Sequence, residues 1–279
     1  MKKQSYTFQK VNNRKGEPVV VIATIGGNNG TGDVVSVTVV PRFVYDTLRS
    51  EFHGIKVHTS VRTKRYVELM ENLIDTVCGS CPLKDPKLSK AIGHAPCYVQ
   101  KNAQIAGEPA GIVVNAIDSG DWEEFNSTAF NLALSIAKEM KIRKFRSAVA
   151  GDMGVLTQSD AEEIIDMVDS FGFEWLGYTH QKSAIWLRGT HQLSTQSTPT
   201  KPYATAHSAM KQGWSVFHIV SGAVDTTDPL LTHCFKQANE GENCGGCPEP
   251  CDGKSGNNTA VINHNYGMKK RAKTLHMWN

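Results

Sequence analysis

The sequence predicts an α/β fold: a partial barrel or mostly parallel sheet with flanking helices and a Cys-rich C-terminal loop. Three observations carry this. From residue 145 onward, short apolar runs alternate with amphipathic helical stretches, the pattern of a parallel sheet with crossover helices. Near the start, two β-branched runs flank a Gly/Asn-rich loop, the pattern of a hairpin. Near the end, four cysteines crowd into a segment of glycines and prolines that has no apolar periodicity of its own.

Taken in order, 18–25 is a buried strand and 34–40 a second, joined across 26–33. That loop is glycine-rich but joins two strands and lacks a following Lys-Ser/Thr, so it reads as a hairpin turn and not a phosphate loop. Helices are expected over 41–52 and 64–77, then an irregular stretch over 82–108. Residues 111–117 (Gly-Ile-Val-Val-Asn-Ala-Ile) read as a strand. Asp121 then opens a long helix with Trp122, Phe125, Ala129, Leu132, Ile136 and Met140 on one face. Strand 145–150 ends in Gly151-Asp152. The next helix starts with a capping box, Ser159 to Glu162, and buries Ala161, Ile164, Ile165, Val168 and Phe171. Strands 173–178 and 184–188, helix 203–212 and strand 214–220 complete the alternation.

This divides a single α/β domain over 1–279 into an N-terminal hairpin (18–40), a Cys-rich segment (75–108), a β/α core (111–222), a cluster-binding segment (223–266) and a basic tail (267–279). Apolar residues at 40% and charged residues at 20% exclude a disordered or collagen-like chain. No window holds 18 consecutive apolar residues, so no membrane partner is expected. The basic start, Met1-Lys2-Lys3, is not followed by an apolar run, so no export signal is read and a cytoplasmic protein is expected. A net charge of +3 is too small to imply nucleic acid. The run Lys269-Lys270-Arg271-Ala272-Lys273 reads as a solvated end, with weak nucleic-acid contact as its alternative.

The seven cysteines fall in two groups. Cys78, Cys81 and Cys97 are separated by two and fifteen residues; Cys234, Cys244, Cys247 and Cys251 by nine, two and three. Disulfides are disfavoured by the odd number and the lack of an export signal. Zinc needs four tetrahedral ligands, which the second group supplies. An iron–sulfur cluster takes four thiolates from a looser string rich in Gly and Pro, and the run C-x2-C-x3-C with a cysteine upstream suits a 4Fe–4S cluster better. His264, after this loop, is a further candidate to reach the metal. The first group cannot close a tetrahedral site alone. His94, a cysteine from elsewhere or an exogenous ligand would be its fourth ligand; otherwise the three remain thiols or form one disulfide with a spare. The segment is expected to fold against the strand edge that carries Asp152 and His180.

Ligands in α/β folds bind at the carboxyl ends of strands. Those ends carry Gly151-Asp152, Thr179-His180 and Ser194-Thr195, so Asp152, His180 and Ser194 are types that could form base, orienter and nucleophile, with His180 or Asp152 as the base. His191, His207 and His218 read as hydrogen-bonded structural residues. The second cysteine group follows the last strand and is expected near the same edge.

The string Cys78-Gly79-Ser80-Cys81-Pro82-Leu83-Lys84, with Cys97-Tyr98 after it, resembles the opening of a family of phage-encoded cysteine-rich proteins. Gly151-Asp152, Tyr178-Thr179-His180, Leu193-Ser194, Gly213-Trp214, the Cys234–Cys251 quartet and His264 extend the resemblance over roughly residues 75–266. The first cysteine segment is longer here than in that family, and Phe235 follows Cys234 where the family has proline. The resemblance implies a phage origin, a host-cell cytoplasmic location and cluster binding.

Together these readings give a cluster-binding protein that acts as a small-molecule enzyme of hydrolase type, with its site at the strand C-terminal edge beside the cluster. A zinc- or cluster-stabilised module for nucleic acid or a host protein is one alternative. A radical S-adenosylmethionine-like enzyme is another, but it would need cysteines spaced x3 then x2, and the quartet shows x2 then x3.

Overall fold

The computed structural model describes residues 4–26, 32–71, 73–79, 107–118, 127–147, 149–196, 201–220, 228–234, 239, 244, 247–248, 251–254 and 256–262. The protein is α/β: a five-stranded mixed sheet curls into a half barrel, a second five-stranded sheet is parallel, and helices flank them. Among the described residues no helix is long and apolar enough to cross a membrane.

The first sheet runs β1 (Gln4–Asn12), β2 (Pro18–Ile25), β3 (Val35–Pro41), β4 (Lys144–Arg146), β5 (Glu174–Leu176). The expected hairpin is β2–β3, antiparallel in the register Val19↔Pro41 to Ile25↔Val35. Both strands are buried along almost their whole length, which is why they read as unbroken β-branched runs and not as alternating ones. The sequence reading missed β1. Its register against β2 shifts between Phe8 and Lys10, so an alternation that starts at Tyr6 and Phe8 changes phase before Val11. From β3 the sheet turns parallel: β3 with β4, and β4 with β5.

The second sheet, in the order β6 (Tyr178–Thr179), β7 (Gln192–Gln196), β8 (Val216–Val220), β10 (Thr259–Ile262), β9 (Thr232–His233), is parallel throughout. Only Gly177 separates β5 from β6, and its carbonyl accepts from Gln192 N at 2.8 Å. The single stretch expected over 173–178 therefore pairs with β4 by its first half and with β7 by its second, and joins the two sheets. Of the strands expected over 145–220, those at 145–150, 173–178 and 214–220 are present with parallel pairing, but they are divided between two sheets and 184–188 is not one of them.

Several elements differ from expectation. Residues 111–117 form no strand; they lie in helix α4 (Gly107–Asp118). A short apolar run has no period that separates a buried strand from a buried helix, and here Ile112, Val113, Ala116 and Ile117 are all buried. The helix expected over 64–77 is two: α2 (Thr59–Met70), capped by His58, and α3 (Ile74–Cys78). They follow α1 (Arg42–Phe52), which starts as expected after Pro41. Arg62 of α2 reaches both carboxylate oxygens of Asp118 at 2.9 and 2.7 Å, which clamps α2 to α4. Asp121, Trp122 and Phe125 lie outside the described residues. Helix α5 (Ser127–Glu139) buries Phe130, Ala133, Leu134 and Ala137, whereas Leu132 is 54% exposed. The predicted stripe was the wrong one. Phe130 carries the larger ring and seats it edge-on against Phe145, at 6.0 Å between centroids.

Helix α6 (Gln158–Ser170) is capped by Thr157, whose hydroxyl accepts from Asp160 N, two residues before the expected box. It buries Ala161, Ile164 and Val168 as expected, with Ile165 and Phe171 only partly buried. Residues 184–188 are not a strand: Ile185–Leu187 is a 3-10 turn. Helix α7 (Ala204–Met210) completes the described helices.

Candidate functional site

Past β4 the chain runs on beside β3: Val149 N donates to Val37 O at 2.8 Å, and Val39 N donates to Ala150 O at 3.0 Å. This carries Asp152 to the C-terminal edge. There its carboxylate is enclosed and fully engaged. Oδ1 accepts from Gly154 N at 2.8 Å and from the Thr179 hydroxyl at 2.7 Å, and Oδ2 accepts from His180 N at 2.7 Å. His180 Nδ1 stands 3.6 Å from the same Oδ2, with its side chain 23% exposed against 4% for Asp152. Burial alone would raise the Asp152 pKa. The imidazole and backbone of His180, with the Thr179 hydroxyl, outweigh it and hold the carboxyl below its ordinary value. Asp152 is thus a fixed anion that orients its neighbours, and His180 is the group facing outward. Gly154 cannot be replaced here without a shift, because a Cβ would lie 2.5 Å from Thr179 Oγ1 and 2.7 Å from Gln181 Cβ.

Gln181 ties a second element to this edge. Its Nε2 donates to Cys78 O at 2.9 Å, and Arg14 Nη2 donates to its Oε1 at 3.4 Å. The first cysteine of the first group, buried at the end of α3, therefore meets the edge that carries Asp152 and His180; the rest of its segment lies outside the described residues. Cys81, Cys97 and His94 lie outside the described residues, as do His264 and the basic run 269–273. Ser194 is not part of the pair. It lies in the middle of β7, in register with Phe217, and the three residues do not form a triad.

The last three cysteines of the quartet stand elsewhere. Their segment meets the beginnings of the strands. The Lys144 ammonium, on the first residue of β4, donates to Cys244 O at 3.0 Å and to Cys247 O. Gly177 N, just before β6, donates to Cys251 O at 2.9 Å. The Ser215 hydroxyl, just before β8, donates to Lys254 O at 2.5 Å, and Val216 N donates to Asn258 Oδ1 at 3.0 Å. Cys234, the first of the four, follows the C-terminal end of β9, which runs parallel to β10, and its N donates to Ala260 O at 2.9 Å, whereas Cys244, Cys247 and Cys251 meet strand starts.

The four cysteines are half-buried, and among the described residues none is in a disulfide. Crowding around its sulfur, reinforced by the charges of Cys234, Cys244 and Cys247, pushes the Cys251 thiol up to about 12, against a hydroxyl contact from Thr259 at 3.9 Å. Each of the other three thiols thus acts electrostatically on Cys251, although nine residues separate the first two members of the quartet. Among the described residues no three His, Cys, Asp or Glu side chains form a ready single-ion site.

Two features fit an iron–sulfur cluster here. Three of the cysteines lie on a segment fixed by hydrogen bonds to three strand starts, and a buried cation lies against the C-x2-C turn. Gly253, at φ +71°, lets the backbone pass against His191, where a Cβ would meet His191 N and O at 2.4 Å. His191 is wholly buried, its Nδ1 2.7 Å from the Thr190 hydroxyl, and burial lowers its pKa to about 4.

As expected, His207 and His218 are held by hydrogen bonds, to Asp228 and to Thr195 and Pro202 O respectively. Sequence reading missed Lys144 and gave no role to Thr179 or Gln181. Lys144 sits in the basic run Lys141-Ile142-Arg143-Lys144, which reads as solvated, and only its position at a strand start marks it.

No family model, curated protein or solved structure matches the chain.

Proposed function

We propose that this chain binds a 4Fe–4S cluster through Cys234, Cys244, Cys247 and Cys251 and is an enzyme of hydrolytic type, with His180 as general base. The first half of the reading is supported by the spacing of the four cysteines and by the hydrogen bonds that tie the backbone of their segment to Lys144, Gly177 and Ser215. The resemblance to phage-encoded cysteine-rich proteins supports the same ligand set. When bound, the cluster supplies one-electron chemistry or a rigid cross-link of the segment. The backbone of Cys244, Cys247 and Cys251 meets strand starts whereas His180 follows the end of β6, so the proposed hydrolytic step rests on this chain's side chains.

At the other edge, the Asp152 carboxylate stands 3.6 Å from His180 Nδ1, and the His180 side chain is partly exposed. A water held at Nε2 loses a proton to the imidazole as its oxygen attacks an acyl or phosphoryl centre. The imidazolium is stabilised by Asp152 and returns the proton to the leaving group. A panel of ester, amide and phosphoester substrates tests this. Turnover should fall by about 10²-fold or more in His180→Ala while iron content stays unchanged. Undiminished turnover in that variant would remove His180 from the reaction.

A further inference from the structure

Lys144 is 4% exposed, and among the described residues no carboxylate lies within hydrogen-bond distance of its ammonium. There its hydrogen-bond partners are the carbonyls of Cys244 and Cys247, which offer dipoles only. Glu174 stands 3.9 Å away, with its own side chain half exposed to water. A buried ammonium is costly unless paired, and a half-solvated carboxylate beyond hydrogen-bond reach pairs it weakly. The same two carbonyls belong to the C-x2-C turn of the quartet. A centre held by four thiolates carries net negative charge. A cation fixed at the backbone of two of its ligands is the counter-charge it needs.

We infer that Lys144 is the charge partner of the centre held by the quartet: it fixes the Cys244–Cys247 turn through two carbonyls and stabilises the reduced, more negative state. This rests on the cluster reading above. Lys144 is a positioning residue, since it touches ligand backbone and not the metal. Glu174 opposes it, because its carboxylate draws on the same ammonium.

The test is a spectroelectrochemical titration of the full chain, purified anaerobically, with iron and sulfide assayed on the same samples. In Lys144→Met the midpoint potential should move negative by at least a tenfold change in the reduction equilibrium, about 59 mV for one electron. Lys144→Arg should stay close to the wild type. Glu174→Gln should move the potential positive. That variant lies on a half-exposed side chain, so it reads out the inference even if Lys144→Met does not fold. Wild-type potentials in both Lys144→Met and Glu174→Gln, with iron retained, overturn the inference and leave the cluster standing. A merely structural role for Lys144 would lower stability or iron content without moving the potential of the loaded fraction. A wild-type chain without iron and sulfide overturns the cluster reading itself.

Discussion

The side chain of Gln181 donates from Nε2 to the carbonyl oxygen of Cys78, and this one hydrogen bond of 2.9 Å spans 103 residues of sequence. It joins the end of α3 to the strand end that carries His180, so the first cysteine segment begins at the same edge as the Asp152–His180 pair.

Removing that bond should loosen Cys78, which is 7% exposed. In Gln181→Ala, loss of a buried hydrogen bond of about 1–1.5 kcal/mol corresponds to roughly tenfold faster opening. The readout is the rate of iodoacetamide labelling at the Cys78 peptide, followed by mass spectrometry. An unchanged rate would mean that packing alone holds α3 in place.

The two faces of α5 separate cleanly by mutation. Phe130 is fully buried, so Phe130→Ala should cost about 3–5 kcal/mol in urea unfolding. Leu132 is 54% exposed and Leu132→Ala should cost less than about 0.5 kcal/mol. Comparable losses at both positions would restore the stripe that the sequence suggested.

Acid should destabilise the fold in two windows. The folded-state pKa of His191 is depressed to about 4, so below its ordinary value of 6.5 the unfolded chain binds a proton that the folded chain refuses. Stability should therefore fall as the pH drops from 6.5 towards 4, by up to about 3 kcal/mol at 1.36 kcal/mol per pKa unit. Asp152 is also depressed, but as an acid. Its contribution is present above the unfolded value of about 3.9 and is lost as the pH falls through its folded pKa. His191→Gln should flatten the first window, and Asp152→Asn the second. Parallel curves for wild type and variants would contradict these assignments.

Sequence patterns reached the elements whose burial is one-sided or complete. The β2–β3 pair is β-branched on both faces because both faces are covered, and Ala161, Ile164 and Val168 mark α6 by their 3.6-residue spacing. They did not reach elements where two solutions share one pattern. Residues 112–114 are apolar in a strand and in a buried helix alike. Leu132 and Phe130 sit on competing stripes, and only the ring of Phe145 selects between them. The types of the site residues were legible, and Asp152 and His180 do meet. Their roles were not, because Thr179 and Gly154 decide that Asp152 is a saturated anion and not a base. Nor was the position of the quartet, which depends on where Lys144 and Gly177 hold its segment.

The central claim is that Cys234, Cys244, Cys247 and Cys251 hold one 4Fe–4S cluster. The direct measurement is iron and acid-labile sulfide per chain, with the visible absorption spectrum, in anaerobically purified wild type and Cys247→Ser. The wild type should be brown with four irons and four sulfides per chain. Cys247→Ser should be bleached and should unfold at lower temperature, because its segment lacks an apolar core of its own. A colourless wild type that carries zinc, or a Cys247→Ser variant with full colour and unchanged melting, would contradict the account.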